Sequence, residues 1–332
     1  MQERNVRLDI MKGVGITLMV IGHCHLPWLL SKMIFIFHMP MFFILSGYLY
    51  KERPIAEIVK RNAKKVLIPY FITGIIVWGI LLITKGDYDW GWSLMTANGS
   101  RPVYHYTEYA VGPLWFLMCY FVSLVFFHML LWIKKDKHRV ILLMVSFAIV
   151  MVYKYYFNLL PLDILNAIPA IGFMYMGYKL NSPVVYETLF GSKIALTIGS
   201  LIVVICLYKG GISMASIVYK LWYLQFFAAL YCCYFLYKWF TNSDWKLYAN
   251  FFSYVGKNSL MLLCIHSVDY LTGATNSIVK IASLNNISAL MLSIVLKLSF
   301  VAIGYVMIKS FQVGLSTFKV TRVNAQKTIE KL

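Results

Sequence analysis

Lys12 and His23 stand 11 residues apart in an otherwise apolar stretch, RLDIMKGVGITLMVIGHCH. At 100° per residue that separation returns to within about 20° of the same helix face, with a rise of roughly 16 Å. A helix here carries an ammonium at one edge and an imidazole far along the same stripe. Asp9 lies one turn before Lys12, where it can pair with it. A neutral imidazole titrating near working pH suits general acid–base chemistry. Ionisable groups inside apolar spans are costly, so each is a functional candidate.

The next apolar stretch, IFIFHMPMFFILSGYLYK, has His38 and Pro40 near one end and Ser46-Gly47 near the other. A later one contains YVGKNSLMLLCIHSVDY and places His266 about 15 residues into its run. If successive spans alternate in direction, His23, His38 and His266 reach the same half of the bundle. Three histidines at one depth either surround a single cavity or each tie two helices by a hydrogen bond. Between the second and third runs, KERPIAEIVKRNAKKVLIPY gathers Lys51, Arg53, Lys60, Arg61, Lys64 and Lys65. Such a cluster sits well against anionic lipid, and it also suits the phosphates of a cytosolic ligand.

The elements that must hold these groups are legible from composition. The chain has 332 residues, 60% hydrophobic and 13% charged, about half the charge of an ordinary soluble domain. Apolar runs recur near 9–30, 33–50, 66–84, 113–133, 140–157, 163–180, 194–208, 217–237, 251–270 and 288–310. That spacing predicts an all-α polytopic membrane protein, a bundle of about ten transmembrane helices in one domain spanning 1–332. With the N-terminus inside, 23 Lys and Arg fall on the cytoplasmic side and 8 on the other. The positive-inside bias then puts both termini in the cytoplasm. No small-residue cleavage site follows the first run, which is expected to be a retained span.

The net charge of +18 lies in short segments between apolar runs, so it points to the lipid bilayer and not to nucleic acid. All six cysteines fall inside apolar runs, without C-x-x-C or Cys/His ligand spacing, so no disulfide framework and no metal is expected. The longest outer segment, 85–112, mixes Tyr88, Trp90, Trp92, Tyr104, Tyr106 and Tyr109 with Asp87, Asp89 and Glu108. Those rings either anchor the membrane interface or form a platform for carbohydrate.

The motif string makes the reading more specific. R-L-D-x-x-K-G over residues 7–13, Gly22-His23, and F-H-M-P-M-F-F-I-L-S-G-Y-L from Phe37 resemble the opening of the acyltransferase-3 family. So do Arg61 with Pro69-Tyr70, the stretch Pro113-Leu114-Trp115-Phe116-Leu117, and Gly256-Lys257-Asn258-Ser259-Leu260 followed by His266. The family's basic residue, ten residues and then His are met by Lys12 and His23. Lys12 stands where many members carry Arg, which keeps the charge but loses bidentate binding.

The resemblance implies a stand-alone membrane O-acyltransferase of the bacterial inner or plasma membrane. It would move an acetyl group from cytosolic acetyl-CoA to a hydroxyl of an extracytoplasmic glycan or lipid-linked sugar. Arg61, Lys64, Lys65 and Lys12 would meet the donor's phosphates, and His23 would act as base, with Lys12 and Asp9 beside it. His38, Ser46, Trp115 and His266 would shape the substrate cavity. Direct transfer and a covalent acyl-enzyme are both open, as is a homo-oligomer. On the residues alone, buried histidines among ten spans also fit a proton-coupled carrier for an amino acid or sugar. The motif string favours the enzyme.

Overall fold

A computed structural model of the chain describes residues 5–24, 26–99, 110–156, 161–242, 246–282 and 286–329, with backbone only at 155–156, 241–242, 246–247 and 314–329. Apolar surroundings force each backbone N–H and C=O to pair within its own segment, and the described chain is accordingly dominated by helices. Helix α1 (Val6–Gly22) opens at Asn5, whose side chain accepts from the Arg7 N–H at 3.1 Å. The second apolar run divides into α2 (Trp28–Phe35) and α3 (His38–Tyr48). Helix α4 (Ile55–Asn62) passes through a π-helical turn, Ala63–Leu67, into α5 (Ile68–Lys85), and α6 (Trp90–Thr96) follows. A 3-10 turn at Gly112–Leu114 feeds α7 (Trp115–Leu131), then α8 (Asp136–Tyr156), α9 (Ile164–Lys179), α10 (Pro183–Phe190) and α11 (Lys193–Tyr208). A short antiparallel pair matches Ile212 with Tyr219 and Ser213 with Val218. The chain continues as α12 (Leu224–Asn242), α13 (Lys246–Lys257), α14 (Ser259–Thr272), α15 (Ala274–Ile281) and α16 (Asn286–Ile329).

Among the described residues, Trp28–Tyr48, Ile55–Lys85, Gly112–Leu131 and Asn286–Val313 are long and apolar enough to cross a membrane. Pro183–Phe190 and Lys193–Tyr208, bent by 70°, add a fifth if they form one broken span. Apolar side chains point outward along whole helix faces. Ile141, Val145, Ile149 and Val152 of α8 are all about half exposed, at spacings that put them on one stripe. A surface of this kind needs lipid against it, and the protein is a membrane protein.

The expected runs at 251–270 and 217–237 are interrupted as well. The run at 251–270 breaks at Asn258, whose side-chain amide donates to the Tyr254 carbonyl at 2.8 Å while its backbone N–H bonds Val255 O at 3.1 Å. The side chain has taken the carbonyl that a continuing helix would have used. The run at 217–237 starts as the strand Val218–Tyr219 and becomes helical only at Leu224, past Trp222 at φ 45°.

Two glycine seams hold the centre. A Cβ on Gly256 of α13 would lie 1.8 Å from Asp9 O of α1, and one on Gly13 would lie 2.0 Å from Phe252 O. Likewise Gly47 of α3 would meet Met174 O of α9 at 1.8 Å, and Gly177 would meet Ile44 O at 1.9 Å. Only hydrogen fits at these four positions, so the backbones touch as small-residue seams between membrane helices do. These contacts fix α1, α3, α9 and α13 around the site.

Candidate active site

A cavity of about 570 Å³ opens among α1, α3, α4, α7, α13 and α14. Its lining includes Lys12, Lys51, Arg53, Arg61, Lys65 and Lys257, with Asp9 as the one carboxylate among the described lining residues. Asp9 is nearly buried and lies 3.7 Å from the Lys12 ammonium. The π-helical turn sets Arg61, Asn62, Lys65 and Val66 on the cavity wall, while Lys64 is not part of it. Arg53 pairs with Glu57 at the start of α4. Its apolar part, the slot, is lined by Ile16, Phe42, Phe116, Leu117 and Leu263, with the Ser46 and Tyr120 hydroxyls joined at 2.9 Å. Six cations beside an apolar lining suit a polyanionic head with an uncharged tail.

Above the slot, at the end of α1, is a cluster of rings. From Ile16 to His23 is seven residues, about 700° and roughly 10 Å, so His23 lies on the same stripe two turns beyond Ile16, outside the cavity lining. His23 Nδ1 lies 2.8 Å from the Met19 carbonyl. A carbonyl can only accept, so Nδ1 carries the proton and Nε2 keeps its lone pair. The fully buried His266 brings Nε2 to 3.3 Å from that same Nδ1, and its own Nδ1 finds no partner. The Tyr270 ring meets the His23 ring at 4.8 Å between centroids. His38 has the same device as His23, with Nδ1 on Ile34 O at 2.9 Å. Phe35 stands between the two, 6.1 Å from His23 and 4.9 Å from His38.

This arrangement of a basic mouth, an apolar slot and an imidazole with a free lone pair is what transfer of an acyl group from a phosphate-bearing donor needs. The acyltransferase domain of the acyltransferase-3 family matches residues 5–309. The chain belongs to that family. It is also similar to nodulation protein NolL of Mesorhizobium japonicum, 26% identical over 147 residues, which is 38% of this chain and 36% of the relative. The chain thus matches about a third of that relative's length. No solved structure matches the chain.

Viewed as an acyltransferase-3 protein, several motif residues gain a structural reason. Gly13, Gly47 and Gly256 are the seam glycines. Tyr70 is fully buried and its hydroxyl donates to Leu94 O at 2.6 Å. Phe116 packs on Phe43 at 5.2 Å and walls the slot, whereas Trp115 packs beside Gly99 and is not in the slot lining. Of the expected donor-binding residues, Lys12, Arg61 and Lys65 converge on the cavity and Lys64 does not. Of the expected substrate-cavity residues, Ser46 lines it, His266 touches His23, and His38 is set apart by Phe35. Tyr104, Tyr106, Glu108 and Tyr109 lie outside the described residues. Among the described residues no three of His, Cys, Asp and Glu group as metal ligands.

Sequence reasoning missed Tyr270, Asp269, Thr275 and Lys297. Lys297 is fully buried, 3.3 Å from Asp269 Oδ2 and 3.2 Å from Thr275 Oγ1. The signal existed: a lysine in the middle of the 288–310 run is an intramembrane charge, and His266 and Asp269 are one helical turn apart.

Proposed function

We propose that the protein is a multi-pass O-acetyltransferase of the bacterial cell membrane, a single domain over 1–332 with about ten spans and both termini cytoplasmic. It takes acetyl from cytosolic acetyl-CoA and places it on a hydroxyl of an extracytoplasmic glycan or lipid-linked sugar. The observation that carries this reading is the alignment on α1 of Asp9, Lys12 and Ile16 in a cation-lined cavity with His23 two turns above. Six basic groups attract the donor's phosphates at the inner face, and the apolar slot admits the uncharged thioester arm. The span from Lys12 to His23, roughly 16 Å, is then crossed by the arm and not by the protein.

At the top of the slot His23 Nε2 takes the proton of the acceptor hydroxyl as its oxygen bonds the acyl carbon. The carbon–sulfur bond breaks, and the departing thiolate recovers a proton from the imidazolium. A positioned base of this kind typically contributes about 10²–10⁴ in rate. A carrier gives no reason for a cation-lined slot ending beneath an imidazole, and the family match does not favour one.

Two measurements test the reading. Purified protein should hydrolyse acetyl-CoA slowly without acceptor, and mass spectrometry should find acetyl esters on envelope sugars only when the gene is present. Absence of both would remove acetyl transfer as the function.

A further inference from the structure

The His23–His266 pair stands beside a buried ion pair that the proposed chemistry does not use. Lys297 of α16 and Asp269 of α14 are both fully shielded from solvent, and no other described lysine or arginine is buried. Thr275 at the start of α15 completes the group. Its N–H donates to Asp269 Oδ1 at 2.9 Å, and its hydroxyl donates to Oδ2 at 2.8 Å. Lys297 donates to Oδ2 at 3.3 Å and to the Thr275 oxygen at 3.2 Å. Gly273, at φ 72°, turns the chain so that α15 can fold back onto Asp269.

A buried ion pair is a poor source of net stability, because desolvation consumes most of its Coulomb gain. Its position is more informative. Asp269 lies one turn beyond His266 on α14. Helix α16 also packs against α1, the helix that ends at His23. Helix α16 therefore touches both the helix that ends at His23 and, through Lys297, the helix of His266. Much of the rest of α16 presents apolar side chains outward, so these polar contacts set its register.

We infer that Asp269, Lys297 and Thr275 are positioning residues that brace α16 against α14 and hold the His23–His266 contact in its reactive geometry. The inference rests on the acyl-transfer reading of the site. Misplacing a catalytic group by about 1 Å can cost on the order of 10²-fold in rate, so partial loosening is expected to cost about tenfold.

The test compares three variants in the full-length protein. Asp269→Asn with Lys297→Met removes both charges together, so no unpaired charge is left buried. Thr275→Val keeps the ion pair and the side-chain shape but loses the hydroxyl. Lys297→Arg keeps the charge. Folded double variant and Thr275→Val should keep the donor KM of the wild type while kcat falls about tenfold, and Lys297→Arg should retain most of the turnover. Wild-type kcat in Thr275→Val, or in a folded double variant, overturns the inference and leaves the group a structural tie.

Labelling of His23 by diethyl pyrocarbonate, followed by mass spectrometry, reads the same geometry without substrate. A labelling rate unchanged in Thr275→Val also overturns it; a severalfold change supports it. If the wild type transfers no acyl group, the function reading fails, and the labelling alone decides this one.

Discussion

The cation-lined part of the cavity and the ring cluster are joined by α1, which carries Lys12 and ends at His23, yet they are built on opposite physical principles. At the mouth, Lys51, Arg53, Arg61, Lys65 and Lys257 come from α4, the π-helical turn, α13 and their flanks, with side chains partly in solvent. Such charges attract from a distance, tolerate imprecise geometry and are screened by salt over about 10 Å at 0.1 M. In the ring cluster His266 and His38 are buried, while His23 is half-buried. There a single hydrogen bond, His23 Nδ1 to Met19 O, fixes which nitrogen is free to take a proton. On the proposed function, recognition is distributed over many cations and chemistry is concentrated on one imidazole. Mutations at the two ends should therefore behave differently.

The largest effect is expected at His23. His23→Gln keeps a hydrogen-bonding side chain but cannot take up a proton at neutral pH, so turnover should fall about 10²–10⁴-fold. Acetyl-CoA binding and thermal stability should hardly change, since a helix-to-helix hydrogen bond in a membrane averages about 0.6 kcal/mol. A variant with more than about a tenth of wild-type turnover would make His23 structural, against that 10²-fold expectation. At the other end, Arg61→Ala should weaken acetyl-CoA binding about 10- to 100-fold, the scale of losing a charge-assisted bond of about 1.5–3 kcal/mol. Titration calorimetry at two salt concentrations checks this, and wild-type binding should weaken as salt rises. Salt-independent binding would sever the link between the cation cluster and the donor.

The seams beneath both regions come next in size. Gly47→Ala drives a methyl group to 1.8 Å from the Met174 carbonyl, a backbone atom that cannot swing away. Overpacking of this kind costs about 1–3 kcal/mol and should appear as a lower Tm in detergent with activity lost in proportion to unfolding. Gly79→Ala, where nothing lies within 4 Å, is the matched control and should leave Tm unchanged.

The smallest effect is on the solvent-facing end of α8. Asp136 pairs with Lys179 and Arg139, and the Lys179 ammonium holds its carboxyl below the ordinary 3.8. A depressed carboxyl pKa contributes stability above the ordinary value and loses it as pH falls through the lower folded value. Asp136 is about half exposed, so solvent screening keeps the contribution below about 1 kcal/mol. Asp136→Asn should lower Tm slightly at pH 7, and the difference should vanish as the pH is taken below 3.8. A difference that persists in acid would mean that the ion pair is not its source.

How much of this was legible in the sequence follows the same division. The Lys12–His23 stripe was readable because helical periodicity is local and both residues sit on one element. The cation cluster was readable as a cluster, but not which members face inward. Lys64 and Lys65 differ in fate because the π-helical turn sets the register, and nothing in KRNAKKVL announces it. The equal depth of His23, His38 and His266 was also anticipated. Depth does not give azimuth, and the Phe35 ring packs against both His23 and His38. The glycine seams were hidden because each is a contact between residues far apart in sequence, such as Gly13 with Phe252. Lys297 was visible but was counted as a topological charge, although a lysine deep in an apolar run needs a partner. The break at Asn258 turned one apolar run into two helices because one side-chain amide captured a backbone carbonyl.

The central claim is that the acyl group passes from the basic cavity to His23 and so from one side of the membrane to the other. Membrane vesicles of defined orientation test it most directly, with labelled acetyl-CoA on one side and an impermeant sugar acceptor on the other. The account predicts transfer only when the donor faces the Arg61 and Lys65 side and the acceptor lies opposite, with none in His23→Gln vesicles. Transfer with donor and acceptor on the same side, or with the donor on the far side, would contradict it.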